Sequence, residues 1–447
     1  MTENKYSVKE LTSKEKYKCA CGKEHSAHLK FAEVGRNAIA KLPEHINKFN
    51  ASRAYILADE NTLAAAGDRV FAALDGAGIK YTLFSFGSER IEPDEKAVGS
   101  AVLNFDHSCD ILIGIGSGVI NDIGKIVAKM TSLPYIIVGT APSMDGYASS
   151  TSSVIRGGLK VSVDSKCPDV VIGDTEVLCA APLLMIEAGL GDMLAKYVSV
   201  CEWRIGHIVT GEYYCEEVAS MIRAALKKCI DNAGGIINRD EKAVESVMEG
   251  LILSGIAADY AGVSRPVSGV EHYFSHLWDM RAVEFGTPWS LHGIQCGIGT
   301  YLAAKGYEKL KTLTPDRETA VSSFKSANLD SWLLKLKEYL GSSADAIIRT
   351  APSSDRYNAE KHLERLENII AHWDEIKNIA DEELPPAADI LEILKLTGSP
   401  VSSAEIGIPC DENAFTFKAT KDIRDKYILS TLMWDMGVLD KADEIYG

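Results

Sequence analysis

The sequence predicts a two-domain α/β protein, in which an α/β domain with a mostly parallel sheet is followed by an all-α domain. Between about residues 51 and 174, short β-rich segments alternate with helical patterns, and the segments are continuously apolar. Continuous apolarity is typical of strands that are covered on both faces, as in parallel sheets with crossover helices. From about residue 181 onward, apolar residues recur at helical spacing almost throughout.

The predicted strands span residues 53–59, 80–86, 109–116, 134–140 and 168–174. A chain of 447 residues also exceeds the size at which a single hydrophobic core usually stops growing. We therefore expect an α/β domain of the nucleotide-binding type at residues 1–180 and a helical domain at residues 181–447.

The charge pattern excludes some classes of partner. The net charge is −16, and it is spread along the chain without a block of Lys and Arg. This distribution argues against nucleic acid or an anionic membrane as the main partner. Residues 1–10 are polar, unlike a signal peptide, and no apolar run reaches the roughly 20 residues of a membrane span. We expect a cytoplasmic protein that acts on a small molecule.

A glycine-rich turn follows the third predicted strand. The strand leads into Gly116, Ser117 and Gly118, and a helix is predicted to begin near Val119. Glycines allow the backbone to approach a phosphate closely, and the N–H groups at a helix start favour negative charge. The spacing differs from the usual dinucleotide motif, and an ordinary strand-to-helix turn also favours glycine. The phosphate-binding interpretation therefore depends on the position of the turn in the sheet.

Two acidic residues also follow predicted strands. The loop after residues 134–140 is rich in Ser and Gly and contains Asp145, which could accept a hydrogen bond from a substrate hydroxyl. A solvated loop is the alternative. Asp59 could bind an adenosine ribose or could cap the following helix, and the sequence leaves both roles open.

Histidines and one acid form a candidate metal site in the predicted helical domain. His272 and His276 are four residues apart and share one helix face, and His292 follows in a Gly-flanked segment. Such a pair can bind one metal, or can give one ligand and one group that handles protons. We predict that Asp192 begins a helix, where it could be a third ligand or a helix cap.

A second, weaker candidate lies near the N-terminus, where Cys19 and Cys21 stand close to His25. This spacing could bind zinc, although no matching second half is evident. Most of the remaining cysteines lie in apolar or helical segments and are predicted to be small core residues.

Four motifs together resemble the iron-containing alcohol dehydrogenase and glycerol dehydrogenase superfamily over nearly the whole chain. They are GIGSGVINDIGK, GTAPSMDGYASS, AGLGDMLAKY and SRPVSGVEHYFSHLWD followed by LHG. Within this superfamily the chain resembles the bacterial sn-glycerol-1-phosphate dehydrogenases. The resemblance implies a Rossmann-like domain, a helical metal-binding domain and an active site in the cleft between them.

The implied activity is a metal-dependent, reversible reduction of dihydroxyacetone phosphate to sn-glycerol 1-phosphate with NAD or NADP as the cofactor. Two alternatives share the fold, namely a polyol dehydrogenase acting on glycerol and a cyclase of the dehydroquinate synthase type. We also expect a homo-oligomer.

The resemblance assigns roles to individual residues. The metal ligands would be Asp192, His272 and His292. Substrate would contact Asp145, Asp192 and His276, of which Asp145 and His276 are the catalytic candidates. The cofactor would contact Asp59, Gly118, Val119, Ile120, Asn121, Asp122, Thr140, Ala141, Pro142, Ser143 and Ser149.

Lys196 stands where relatives with a four-ligand iron site have a second histidine. This departure favours zinc or nickel over iron. Arg265, Lys196 and the Ser-rich loop are candidates for binding the substrate phosphate, although Arg265 could equally be a structural anchor.

Overall fold

The computed structural model describes residues 6–89, 91–157 and 159–447. The first five residues of the polar N-terminal stretch lie outside the described residues. The chain forms two compact units, of which the first contains residues up to 193 and 217–263 and the second contains residues 194–216 and 264–447. The last strand ends at Asp174, close to the predicted boundary at residue 180. Two later helices nevertheless belong to the first unit, because that unit also contains residues 217–263.

The strands all lie in the first unit. Their bounds are β1 Tyr17–Lys18, β2 Glu24–His25, β3 Phe31–Gly35, β4 Arg53–Ala58, β5 Lys80–Ser85, β6 Ile111–Gly116, β7 Tyr135–Gly139, β8 Thr151–Arg156, β9 Leu159–Asp164 and β10 Val170–Asp174. Six of them form one sheet in the order β3-β10-β7-β6-β4-β5, with every neighbouring pair parallel. The pairs β1–β2 and β8–β9 are separate antiparallel hairpins. The predicted parallel sheet and its five strands are confirmed.

The helices of the first unit connect and cover these strands. Their bounds are α1 Val8–Ser13, α2 Leu42–Lys48, α3 Glu60–Gly76, α4 Glu95–Leu103, α5 Gly118–Thr131, α6 Thr175–Leu178, α7 Leu183–Thr210, α8 Glu216–Asn232 and α9 Glu241–Ala261, and the boundary between the units falls inside α7.

One face of the sheet forms a core with α2 and α3. Ile56 pairs with Ile113, and Ile113 pairs with Ile136, so side chains at equal heights on neighbouring strands share a face. All three are fully buried, and they pack in one cluster with Val70 and Leu74 of α3. The central strands β4, β6, β7 and β10 are buried almost throughout, which explains their nearly continuous apolarity, whereas the edge strand β5 is partly exposed.

The second unit is helical, as predicted. After the C-terminal part of α7, its helices are α10 Val270–Phe285, α11 His292–Lys311, α12 Arg317–Ser326, α13 Leu329–Leu340, α14 Asp345–Thr350, α15 Ala359–Ala371, α16 Trp373–Glu383, α17 Ala387–Thr397, α18 Asn413–Thr420, α19 Leu429–Asp435 and α20 Ala442–Tyr446. A β-carbon at Gly299 of α11 would lie 2.6 Å from the carbonyl oxygen of Glu271 in α10, so these two helices pack with their backbones close together. None of the described helices is long and apolar enough to cross a bilayer.

Candidate functional site

The glycine-rich turn carries the chain from β6 into α5 in the first unit. A β-carbon at Gly116 would lie 2.5 Å from the β-carbon of Ile120, and one at Gly114 would lie 2.6 Å from the hydroxyl oxygen of Tyr135. Both glycines are therefore required by the close packing around the start of α5. Ile120 is buried in this contact, which leaves its backbone as the part that a cofactor could contact.

The loop after β7 is attached to this turn by hydrogen bonds. The hydroxyl oxygens of Ser117 and Ser143 lie 2.6 Å apart, and the Thr140 N–H donates to the carbonyl of Gly116 at 3.1 Å. The hydroxyl of Tyr147 donates to the Ala141 carbonyl at 2.6 Å. The turn and the loop, which contain most of the predicted cofactor-binding residues, are thus joined by one hydrogen-bond network.

Lys125, which the sequence did not predict as a site residue, fixes the far end of the same loop. Its fully buried ammonium donates to the carbonyls of Gly146 at 3.2 Å and Thr151 at 2.6 Å, and to the hydroxyl of Ser149 at 3.2 Å. It also pairs with Asp122 at 2.8 Å. Its i,i+3 spacing from Asp122 does not reveal this burial in the sequence, because exposed pairs on helices have the same spacing.

Asn121 lies one turn before Lys125 on α5 and is also fully buried. Its amide nitrogen donates to the Gly146 carbonyl at 3.1 Å. Its amide oxygen has no hydrogen-bond partner among the described residues. A buried acceptor without a partner costs free energy, so a ligand that donates to this oxygen would be favoured.

Asp145 and Asp192 lie together in the first unit. The Asp145 N–H donates to a carboxylate oxygen of Asp192 at 2.9 Å, and the Ser254 hydroxyl donates to the Asp145 carboxylate at 2.9 Å. The prediction that Asp192 begins a helix is wrong, because α7 begins at Leu183 and Asp192 lies fully buried inside it. A role as a helix cap is thereby excluded.

Gly189 and Gly191 precede Asp192 and suggest a break in the helix, which is why the helix start was predicted too late in the sequence. A β-carbon at Gly189 would collide with the carbonyl oxygen of Pro142. Glycine therefore allows α7 to contact the backbone of the loop after β7, and the helix continues through it.

Asp59 caps α3 with both of its polar parts. Its carboxylate accepts from the Thr62 N–H at 2.9 Å, and its own N–H donates to the Thr62 hydroxyl at 3.0 Å. The capping role that the sequence left open is thus confirmed. Binding of the ribose stays a prediction.

In the second unit, the tautomer of His272 is fixed by its neighbour. Its Nδ1 lies 2.8 Å from a carboxylate oxygen of Glu271, which also accepts from the Gly269 N–H at 2.6 Å. Because a carboxylate accepts, Nδ1 of His272 carries the proton and Nε2 carries the lone pair that could bind a metal.

The tautomer of His292 is fixed in a similar way. Its Nδ1 lies 2.8 Å from the hydroxyl oxygen of Ser275, which donates its only proton to the amide oxygen of Gln295 at 2.6 Å. The hydroxyl must therefore accept from Nδ1 of His292, and the lone pair is again on Nε2. The rings of His272 and His292 lie 5.0 Å apart, and His276 lies 5.9 Å from His292. The structure brings the three predicted histidines together.

Cys296 joins this group and was not predicted as a site residue. Its Sγ lies 3.6 Å from Nε2 of His292, one turn earlier on α11. The i,i+4 spacing of His292 and Cys296 was the signal in the sequence, although most cysteines in apolar helices are core residues.

Glu202 is a buried acid behind these helices. Its two carboxylate oxygens accept from the N–H groups of Val270 at 2.9 Å and Leu429 at 2.8 Å, which begin α10 and α19. Burial, followed by the charge of Glu271, raises the pKa of Glu202. The acid thus holds the helix that carries His272 and His276.

The basic residues proposed for phosphate binding have structural partners. Arg265 donates to the carbonyls of Glu202 at 3.1 Å and Tyr427 at 2.9 Å and pairs with the carboxylate of Glu212. The ammonium of Lys196 donates to the Val267 carbonyl at 3.0 Å. These contacts support the reading of Arg265 as a structural anchor.

The chain is similar in sequence to dehydrogenases over most of its length. The glycerol-1-phosphate dehydrogenase (NAD(P)+) of Halalkalibacterium halodurans is 30% identical over 87% of this chain and 88% of its own length. The chain belongs to the glycerol-1-phosphate dehydrogenase family. The enzyme of the same name from Methanosarcina acetivorans is 36% identical over 56% of this chain and 68% of its own.

The family lies within a broader group with a shared fold. Residues 33–182 match the family model of iron-containing alcohol dehydrogenase. A probable glycerol dehydrogenase from Sinorhizobium meliloti aligns with a TM-score of 0.60 at 17% identity, covering 94% of this chain and 97% of that one. The sulfoacetaldehyde reductase of Bifidobacterium kashiwanohense aligns with a TM-score of 0.61 at 13% identity, covering 94% and 98%. These structural similarities confirm the fold.

Proposed function

We propose that this chain is a metal-dependent dehydrogenase that reduces dihydroxyacetone phosphate to sn-glycerol 1-phosphate, reversibly, with NADH or NADPH. The main support for the proposal is that the Nδ1–H groups of His272 and His292 are each oriented by a neighbouring hydrogen-bond acceptor. Neighbours that fix the tautomer of both rings are typical of metal ligands and less so of isolated core histidines. The names of the relatives supply the substrate and cofactor.

The donor set of these residues fits a divalent metal. His272 and His292 would bind it through Nε2, and the carboxylate of Asp192 would be the third ligand. Three protein ligands leave a position open, as in catalytic sites. When bound, the metal supplies a Lewis acid that polarises a carbonyl group. Zinc or nickel is favoured over iron, because Lys196 holds a backbone carbonyl where four-ligand relatives have a second histidine.

The proposed cofactor site lies at the carboxyl ends of β4, β6 and β7. In the strand order of the sheet, β4 is followed by β5 toward one edge, and β6 is followed by β7 toward the opposite edge. The direction in which the chain adds strands therefore reverses between β4 and β6. Ligands of open α/β sheets bind at such reversals. Asp59 follows β4 and the glycine-rich turn follows β6, which supports a ribose at Asp59 and a pyrophosphate at Gly118–Asp122.

The loop after β7 would hold the nicotinamide end. Gly116 of β6 pairs with Gly139 of β7, so segment 140–143 begins directly beside the glycine-rich turn. The predicted contact at Ser149 has a further basis, because Lys125 holds the hydroxyl of Ser149 in place. The unpartnered oxygen of Asn121 offers a further acceptor to the cofactor.

Asp145 and His276 are the groups of this chain that would handle substrate protons. The reduction needs a hydride at the carbonyl carbon, which reduced nicotinamide supplies when bound, and a proton at the oxygen. His276, half-buried and one turn after His272, would donate that proton, because imidazole exchanges protons near neutral pH. Asp145, oriented by the Ser254 hydroxyl, would accept a hydrogen bond from the substrate hydroxyl.

The test is a spectrophotometric assay of NADH and NADPH oxidation with dihydroxyacetone phosphate. The protein is first stripped of metal, and zinc, nickel and iron are then added back separately. We expect activity with dihydroxyacetone phosphate to return with zinc or nickel. His272→Ala should abolish turnover and the binding of the catalytic metal ion, and a His272→Ala variant that retained both would contradict the ligand assignment.

The same assay separates the two other activities that share the fold. Oxidation of glycerol at a higher kcat/KM than glycerol 1-phosphate would identify a polyol dehydrogenase and overturn the proposal. A cyclase would use NAD without net accumulation of NADH. Charge-assisted hydrogen bonds to phosphate explain why the phosphorylated substrate should be strongly preferred.

A further inference from the structure

The N-terminal hairpin of the first unit brings two thiols and an imidazole together. β1 and β2 pair antiparallel, and the turn between them carries Cys19 and Cys21. The Cys19 N–H donates to the Lys23 carbonyl at 2.8 Å, and the Gly22 N–H donates to the Cys19 carbonyl at 3.0 Å. Gly22 adopts a φ of 88°, which favours glycine. The backbone that carries both thiols is therefore fixed.

The orientation of His25 is fixed from the opposite side. The residue is fully buried, and its Nδ1 lies 2.7 Å from the carbonyl oxygen of Tyr260. A carbonyl only accepts hydrogen bonds, so Nδ1 carries the proton and Nε2 carries the lone pair. Nε2 lies 3.4 Å from Sγ of Cys21. In a tetrahedral zinc site, with bonds of about 2.3 Å to sulfur and about 2.0 Å to nitrogen, the two ligand atoms are about 3.5 Å apart.

We propose that Cys19, Cys21 and His25 bind a structural zinc ion. Thiolate and imidazole are the ligands that zinc prefers, and a carbonyl that accepts from Nδ1 is the outer contact that holds a zinc-bound histidine. Binding releases the two thiol protons to solvent and involves no change of oxidation state. The hairpin supplies three ligands, and a fourth ligand would complete the four-coordinate tetrahedron of a structural zinc site.

The hairpin lies at the C-terminal end of α9, which suggests what the zinc would stabilise. The last carbonyls of a helix lack partners within it. Here His25 donates to the carbonyl of Tyr260, and the ammonium of Lys23 donates to that of Ala261 at 3.1 Å. The His25 ring also stacks on Tyr260, with centroids 5.4 Å apart. Zinc would hold the hairpin in the conformation that caps this helix.

The metal content of the full-length protein tests the proposal. After dialysis against buffer without metal, wild-type protein should retain one zinc per chain more than the Cys19→Ser/Cys21→Ser double variant. His25→Gln can still donate to the Tyr260 carbonyl, so it preserves the helix cap but should also lose this zinc. Equal zinc in wild type and both variants would overturn the proposal and leave the hairpin as a helix cap alone.

Cobalt distinguishes this site from the proposed catalytic metal. Cobalt bound by thiolates absorbs in the near ultraviolet through charge transfer, whereas ligands such as Asp192 and His272 give no such band. Wild type loaded with cobalt should show the band, and the double cysteine variant should lose it. Cys296→Ser is the matched control, because its thiol neighbours His292, and it should retain the band. A wild type without the band would contradict the site, whatever the result for dehydrogenase activity.

Discussion

The hydroxyl oxygen of Ser275 lies 2.8 Å from Nδ1 of His292 and accepts a hydrogen bond from it. Ser275 can only accept there because its own proton goes to Gln295. The chain of hydrogen bonds runs between α10 and α11, so packing of these helices and orientation of the imidazole depend on each other. A side chain that touches no substrate thereby determines which nitrogen of His292 faces the proposed metal.

Replacement of Ser275 by alanine should weaken metal binding without removing a ligand. We expect the Kd for zinc to rise about 10- to 100-fold, the usual effect of losing an outer contact of a ligating histidine. The kcat at saturating zinc should stay close to that of the wild type. Calorimetric titration of stripped protein with zinc measures the change. Ser322→Ala, at an exposed position of α12, is the control. An unchanged Kd for Ser275→Ala would contradict this role of the hydroxyl.

Asp59 permits a test that separates its confirmed cap from its proposed contact with ribose. Asn caps helices about as well as Asp, so Asp59→Asn should leave the free energy of unfolding nearly unchanged, whereas Asp59→Ala should lower it by about 1 kcal/mol. Both variants remove the charge that would repel a 2′-phosphate. We expect both to raise kcat/KM for NADPH relative to NADH by about tenfold. Steady-state kinetics with the two cofactors measure this ratio of kcat/KM values. An unchanged ratio would show that Asp59 acts as the helix cap alone.

Local patterns in the sequence predicted most of the sheet, since each central strand is apolar along its whole length. The edge strand β3 was missed because its five residues, FAEVG, include a glutamate and are only half-buried. An edge strand needs less apolar surface than a central strand and gives a weaker signal. The start of α7 was misplaced for a different reason, because Gly189 serves a contact with Pro142 that is distant in sequence.

For the candidate site, too, the sequence predicted local patterns but missed contacts between residues that are distant in sequence. The histidines could be found because His272 and His276 share one helix face by spacing alone. Lys125 could not, since a lysine in a helix is usually exposed, and its burial depends on carbonyls of Gly146 and Thr151 in a later loop. The role of Ser275 depends on a contact across two helices, 17 residues apart in sequence. Local patterns identify the candidate ligands, whereas the residues that hold these candidates in place are determined by tertiary packing.

The buried Lys421 should make stability depend on alkaline pH. Burial lowers the pKa of this lysine from 10.5 to about 8, although Asp422 beside it acts in the opposite direction. Its ammonium also lies 4.4 Å from the ring centroid of Trp332. Between these two pKa values the unfolded chain holds a proton that the folded chain has released. The free energy of unfolding should therefore rise as the pH increases from about 8 to about 10.

Denaturant unfolding at several pH values measures this slope. Lys421→Met should remove the contribution, so that the variant has a smaller slope than the wild type over the same range. Lys418→Met, which removes a lysine whose partner Asp443 is 64% exposed, should leave the slope unchanged. An equal slope in wild type and Lys421→Met would show that Lys421 keeps its proton throughout this range.

Lys125 and Lys129 lie one turn apart on α5 and should respond very differently to the same substitution. Lys125 is fully buried and holds Asp122 together with the carbonyls of Gly146 and Thr151, whereas Lys129 pairs with Asp164, whose side chain is 81% exposed. Removing one partner of a buried ion pair leaves the other charge without compensation. Lys125→Met should therefore lower the free energy of unfolding by about 3 kcal/mol, and Lys129→Met by less than about 1 kcal/mol.

The same pair of variants also tests the cofactor site. Without the ammonium of Lys125, the loop that carries Ser149 loses three hydrogen bonds to α5, so the KM for NADH should rise while the KM for dihydroxyacetone phosphate changes less. Lys129→Met should leave both KM values unchanged, because its ion pair lies on the surface. Equal rises in both KM values for Lys125→Met would indicate general loosening of the first unit. A rise confined to the KM for the cofactor would support the nucleotide site at the ends of β6 and β7, because Lys125 orients the hydroxyl of Ser149 that the cofactor is proposed to contact.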